Sequence, residues 1–159
     1  MKKAVKGCFG YLAAKRIRGA AWTAGWKTFA AMPSAQKLVG AGPDCFESCV
    51  YSDPQIAEML HSVFGTSRLT NAHNELLTVL VNTGVCGLVS YAAIFATAIR
   101  RQIRAALQDH SCCLYASAVG ILAYAVHNVV SFQQVVSTPL VFILIGLGES
   151  LLRRDKSFV

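Results

Sequence analysis

The chain has 159 residues, 54% apolar and only 14% charged, with a mean hydropathy of +0.46. Soluble domains carry roughly 25% charged residues, so this balance argues against a freely soluble globule, and equally against disorder. Fifteen Lys and Arg against eight Asp and Glu give a net charge of +7, but the basic residues cluster beside apolar blocks. That pattern suits the flanks of membrane spans better than a nucleic-acid surface.

Taken in chain order, Met1-Lys2-Lys3 has the charge of a signal peptide. The apolar stretch 8–14 that follows is too short and ends at Lys15-Arg16. Cys8 is preceded by Lys6 and Gly7, which do not make a lipoprotein site. Residues 1–74 are mixed in character and hold nine of the fifteen basic residues and three of the four prolines. Residues 20–32 are expected to form a short amphipathic helix bearing Trp22, Trp26 and Phe29 as interfacial anchors or packing groups. Gly40-Ala41-Gly42-Pro43-Asp44 is a turn. Ser52-Asp53-Pro54-Gln55 starts a second helix over 54–64, with a Ser or Asp cap and Pro in the first turn. It turns Ile56, Met59, Leu60 and Val63 inward and stops at Gly65. Cys45 and Cys49 are either a redox or metal pair or two free thiols, and no second Cys/His pair completes a zinc set.

Residues 76–99 contain no charged side chain, and about 20 apolar residues suffice to cross a bilayer. Further spans are expected at 111–132 and 135–152. Arg100, Arg101 and Arg104 fall between the first two, and Arg153, Arg154 and Lys156 follow the last. Short basic segments stay cytoplasmic, which puts residues 1–74 and the 131–137 connection outside and the basic tail 153–159 inside. The expected fold class is therefore all-α: an integral membrane protein with an amphipathic helical extracytoplasmic segment followed by three transmembrane helices.

Candidate chemistry centres on His73-Asn74-Glu75, at the entry to the first span. His73 either caps the helix at the membrane surface or works as a base, since imidazole titrates near neutrality. Arg68 and Arg18 offer planar forks suited to phosphate oxygens, or anchors for lipid headgroups. His127 and Asn128, inside the second span, either join helices or line a cavity. Asp44 and Glu47 are either a cation site or solvated loop carboxylates. No phosphate loop, dinucleotide fingerprint, nucleophile elbow or zinc motif is present in the sequence. The residues alone describe an anion-friendly extracytoplasmic site on a membrane protein, with no metal and no cofactor implied.

The series Arg18-x3-Trp22, Leu38-Val39-Gly40-Ala41-Gly42-Pro43-Asp44-x-Phe46, Ala72-His73-Asn74-x2-Leu77 and Gly84-Val85-x-Gly87-Leu88 resembles the C-terminal part of the O-antigen ligase and polymerase family. Members are polytopic bacterial glycosyltransferases of the inner membrane that use lipid-linked saccharides. The likeness runs from about residue 15 to residue 150. It implies a polyprenyl-diphosphate-linked glycan donor, a glycan or lipid acceptor, and membrane lipid as the surroundings. Carried onto this chain, Arg18 and Arg68 clamp the diphosphate, and His73 activates the acceptor hydroxyl or helps hold the phosphates. Asn74, Gly42, Asp44 and His127 support them, without metal or cofactor. Family members have more spans than this chain, so the resemblance implies a fragment of a larger polytopic fold. Its N-terminal spans would lie upstream or on a separate chain, and the enzyme is expected to be incomplete alone. The contrasting expectation is a non-catalytic membrane protein that docks a partner through its outer helices, with His73 and the arginines as anchors. Nothing in the residues separates ligase from polymerase.

Overall fold

Ala and Leu, both good helix formers, are among the most frequent residues of this chain, and it folds into helices with no strand among the described residues. The computed structural model describes residues 2–108, 110–131, 133–134 and 136–156. Residues 157–159 of the expected basic tail, and positions 132 and 135 at the ends of the expected spans, lie outside the described residues. The helices are α1 (Lys2–Ala31), α2 (Ser34–Val39), α3 (Phe46–Tyr51), α4 (Pro54–Phe64), α5 (Glu75–Gln108), α6 (Cys112–Val130) and α7 (Ser137–Lys156). They form two compact units, Met1–Leu88 and Val89–Val159.

In the first unit, the helix expected over 20–32 is the last part of α1, which runs upstream to Lys2. No proline interrupts residues 2–31, so nothing in the sequence stops the helix before Pro33. Its buried face is made of small residues, Ala21, Ala24, Gly25 and Thr28, while Trp22 and Trp26 lie on the exposed side. The small face admits Phe46 and Val50 of α3 and Ile56 and Leu60 of α4, all buried. Each such side chain contributes about 1.5–3 kcal/mol when fully buried.

Helix α4 begins at Pro54 as expected, and Asp53 is the cap: its carboxylate accepts from the N–H groups of Gln55 (2.8 Å) and Ile56 (3.4 Å). It ends at Gly65, whose φ of 63° lies in the left-handed region. Of the four inward positions, Ile56 and Leu60 are buried and Met59 and Val63 half-buried.

Helix α5 departs from the uninterrupted 76–99 span in two ways. Gly84 breaks it, with φ 68° and ψ −169°. Such a break frees carbonyls that an intact helix would bond internally. The Gly40–Gly42 turn meets them: Ala41 N–H donates to Val81 O at 3.0 Å and Gly42 N–H to Asn82 O at 2.9 Å. Backbone passes so close to backbone here that a Cβ on Gly40 would overlap the Asn82–Thr83 peptide, and one on Gly84 the carbonyl of Leu38. At its other end α5 continues to Gln108, so Arg100, Arg101 and Arg104 sit on the helix rather than in a loop.

The second unit holds the rest of α5, α6 and α7. Small residues let α6 approach α7: Ser117 donates to Leu144 O at 3.4 Å, and Gly120 faces the Leu144 side chain. Phe95, Ala98, Ile121 and Tyr124 form the core, and Tyr124 shares a hydrogen bond with Thr138. Much of the apolar surface is uncovered, including Val119, Leu122 and Val126 on α6 and Leu140, Ile143 and Leu147 on α7.

By length and composition, α5 and α6 could each cross a membrane, and their most apolar stretches are only 22% and 33% buried. A core helix of a soluble protein would be mostly covered. Helix α7 occupies the expected third span, but its last eight residues include Glu149, Arg153, Arg154, Asp155 and Lys156. Those charges leave it outside the membrane-length apolar helices among the described residues.

Candidate functional site

The Ala72-His73-Asn74-x2-Leu77 motif is, physically, a helix start. Asn74 Oδ1 accepts the N–H of Leu77 at 3.1 Å, three residues on, as an N-cap does. The hydroxyl of Thr78 donates to Asn74 O at 3.0 Å and accepts from Ala72 N–H at 3.1 Å. Asn71 Oδ1 takes the N–H of His73 at 3.0 Å. Between these ties His73 is held at φ 49°, a left-handed conformation that costs a non-glycine residue about 1–2 kcal/mol.

Two residues of α1 complete the surroundings of His73. Trp22 Nε1–H donates to the His73 carbonyl at 3.3 Å. Arg18, one turn earlier, is close enough for its charge to act on the imidazole. Partial burial, and then the Arg18 guanidinium, push the His73 pKa below its ordinary value. The ring is therefore a neutral imidazole at neutral pH, the form that can accept a proton. Beside it, Trp22, Trp26, Asn74, Leu76, Leu77, Leu80 and Leu88 line an apolar groove of about 370 Å³.

Arg68 is engaged elsewhere. Its Nη1 meets Glu47 Oε1 at 3.1 Å, and its guanidinium lies over the Tyr51 ring, 4.8 Å from the centroid. The Tyr51 hydroxyl accepts from Leu69 N–H at 3.0 Å, so α3 fixes the chain on both sides of this bond. The expected site residues thus divide. Arg18, His73 and Asn74 come together, whereas the contacts of Arg68 are with α3. Glu47, paired with Arg68, is not held for a cation shared with Asp44.

Gly42 is in the turn that meets α5, with φ 124°. Asp44, exposed, follows it at φ 57°. In the second unit Asn128 is buried and donates to the Tyr91 hydroxyl at 3.4 Å, while His127 is exposed. Of the two readings of this pair, the contact of Asn128 is of the helix-joining kind. Cys45 and Cys49 are free thiols, and burial, then the neighbouring Cys45, push the Cys49 thiol up.

Sequence reading missed the parts played by Trp22 as a donor and by Glu47 and Tyr51 as a seat for Arg68. The first left no signal beyond an aromatic four residues after Arg18. The second is a long-range pairing that no local spacing records. Compared with protein families, curated proteins and solved structures, the chain has no match.

Proposed function

We propose that this chain is the C-terminal part of an O-antigen-ligase-like membrane glycosyltransferase, moving glycan from a polyprenyl-diphosphate donor to a glycan or lipid acceptor. In this reading α5, α6 and α7 are three spans of a bacterial inner membrane, with residues 1–74 on the extracytoplasmic side. The observation that carries it is the position of His73, held through its carbonyl by Trp22 and followed by Asn74, two residues that line the apolar groove, with the Arg18 charge acting on its imidazole. A diphosphate bearing an isoprenoid chain needs those two environments side by side.

In the reaction the acceptor hydroxyl oxygen attacks the anomeric carbon of the donor sugar, and its proton passes to the imidazole of His73. The bond from that carbon to the phosphate oxygen breaks, and polyprenyl diphosphate leaves with the electron pair. Arg18 and Arg68 balance the charge that develops on it. Arg68 does so by exchanging Glu47 for phosphate, an inexpensive exchange for a side chain that is 61% exposed. Loss of one guanidinium is expected to remove about 2–4 kcal/mol of transition-state stabilisation, as loss of an oxyanion donor does.

Binding of a polyprenyl diphosphate to the purified chain in detergent tests the donor site, with Arg18→Gln and Arg68→Gln as variants. Both are expected to weaken it, whereas His73→Ala leaves binding intact and lowers glycan transfer in cells by about 10²–10⁴-fold. Donor binding indifferent to both arginines, or transfer indifferent to His73, would overturn the reading. The competing idea, a partner-docking protein without chemistry, draws its support from the seat of Arg68 on Glu47 and Tyr51.

A further inference from the structure

At the end of the second unit, Arg101, Arg104, Ala105 and Gln108 follow one another along a single face of α5. With Leu152 of α7 they line a cavity of about 290 Å³. We propose that this cavity binds the phosphate of an anionic phospholipid headgroup. The proposal rests on reading α5 as a membrane span.

The walls of the cavity are fixed rather than incidental. Gln102, 1% exposed, is wedged against Gly148, where a Cβ would overlap its amide. Arg101 Nη2 meets Glu149 Oε1 at 2.7 Å, and Arg153 Nε reaches the same oxygen at 3.4 Å. The single carboxylate is therefore shared by two guanidiniums. Arg104 has no carboxylate partner among the described residues. Among the described side chains, four arginines, at 100, 101, 104 and 153, stand with Glu149 at this end of the unit. A guanidinium presents its donors in a planar fork that fits two phosphate oxygens at once. The carbonyl end of α5 repels an anion, so the arginines must supply the attraction.

An amphiphile fits better than a soluble phosphate. The uncharged run 76–99 ends immediately before Arg100, which puts the cavity at the level where headgroups meet hydrocarbon. The apolar run 76–99 that precedes the cavity would take the acyl chains, which an inorganic ion lacks. Basic pockets between spans on the cytoplasmic side are a recurrent way of holding such headgroups.

The test is retention of phosphatidylglycerol against phosphatidylcholine by the full chain, purified in a neutral detergent. Arg104→Gln is the informative variant, because it breaks no ion pair among the described residues. Arg100→Gln, on the same helix but outside the cavity lining, removes the same charge. The expected result is preferential retention of phosphatidylglycerol, weakened about fivefold by Arg104→Gln, the worth of one arginine at an anionic surface, and little changed by Arg100→Gln. Equal effects of the two variants would mean a diffuse charge attraction and overturn the proposal. So would inorganic phosphate binding as tightly as the lipid. Alkaline carbonate treatment of membranes carrying the chain checks the span reading separately. Release of the chain would overturn that reading and this proposal together, whereas retention with no Arg104 effect overturns only this proposal.

Discussion

The indole of Trp22 holds the main-chain carbonyl of His73 at 3.3 Å, so α1 grips the histidine by its backbone. The grip matters because His73 sits at φ 49°, a conformation its own preferences oppose. Asn71 on the N–H and Trp22 on the carbonyl together hold it there. The same α1 turn brings Arg18 to the imidazole, so one helix sets the orientation and the electrostatics of this residue.

Trp22→Phe isolates that grip. The variant keeps the aromatic bulk beside the groove and removes one N–H donor. A single neutral hydrogen bond contributes about 0.5–1.5 kcal/mol, and the partial exposure of Trp22 places this one toward the lower end. Chemical denaturation in detergent is expected to show a loss of about that size. An unchanged midpoint would mean that the Asn71 contact suffices to hold His73.

Gly84 and Gly146 make opposite predictions for the same substitution. Gly84→Ala forces an L side chain into φ 68° and drives a Cβ into the Leu38 carbonyl. That backbone region, nearly confined to glycine, alone costs about 1–3 kcal/mol, and separation of the Gly40–Gly42 turn from α5 adds about 1 kcal/mol for each of two hydrogen bonds. A total destabilisation of about 3–5 kcal/mol is expected. Gly146, inside α7, has open space for 4 Å around the point where a Cβ would stand. Gly146→Ala should instead stabilise by about 0.5–1 kcal/mol. Thermal unfolding of the two variants side by side decides both.

What the sequence made legible was local. Asp53-Pro54 announced α4 because a cap and its helix lie within four residues, and Gly65 ended it for the same reason. The uncharged runs marked α5 and α6 by composition alone. The break at Gly84 escaped because glycine is common inside apolar helices. Only its meeting with Gly40, more than forty residues earlier in the chain, shows why the helix gives way there. His73 and Asn74 stood out as a polar pair before an apolar run, and the cap at Asn74 accounts for the motif's spacing. Arg68 was legible as a cation but not as a partner of Glu47, since that pairing depends on where α3 packs.

Acidification should expose the burial of His73. Its folded pKa is lowered, first by desolvation and then by Arg18. The unfolded chain, titrating near the usual histidine value of about 6.5, then binds the proton more readily than the native one. Stability from this group is fully present above about pH 6.5 and is lost as pH falls through the folded value. His73→Gln should flatten this segment of the stability–pH curve, and Arg18→Gln should move it to higher pH by removing the positive neighbour. Denaturation midpoints measured across pH 5–8 would test both. A wild-type curve that His73→Gln leaves unchanged in slope would show that other groups carry the dependence.

Glu47→Gln separates the two roles open to Arg68. The Arg68–Glu47 pair is 61% and 32% exposed on its two sides, so screening limits its worth to at most about 1 kcal/mol. Stability should therefore change little. If Arg68 serves a diphosphate, removing its resident carboxylate makes the guanidinium more available, and a polyprenyl diphosphate should bind Glu47→Gln more tightly than wild type. Arg68→Lys should do the reverse, since an ammonium keeps the charge but loses both the fork and the stacking on Tyr51. If Arg68 only pins its loop to α3, the two variants will lower stability by similar small amounts and leave donor binding untouched. Opposite shifts in affinity with a nearly constant unfolding midpoint are the expected outcome, because the geometry leaves one edge of this exposed arginine within reach of solvent while Tyr51 and Glu47 hold the rest.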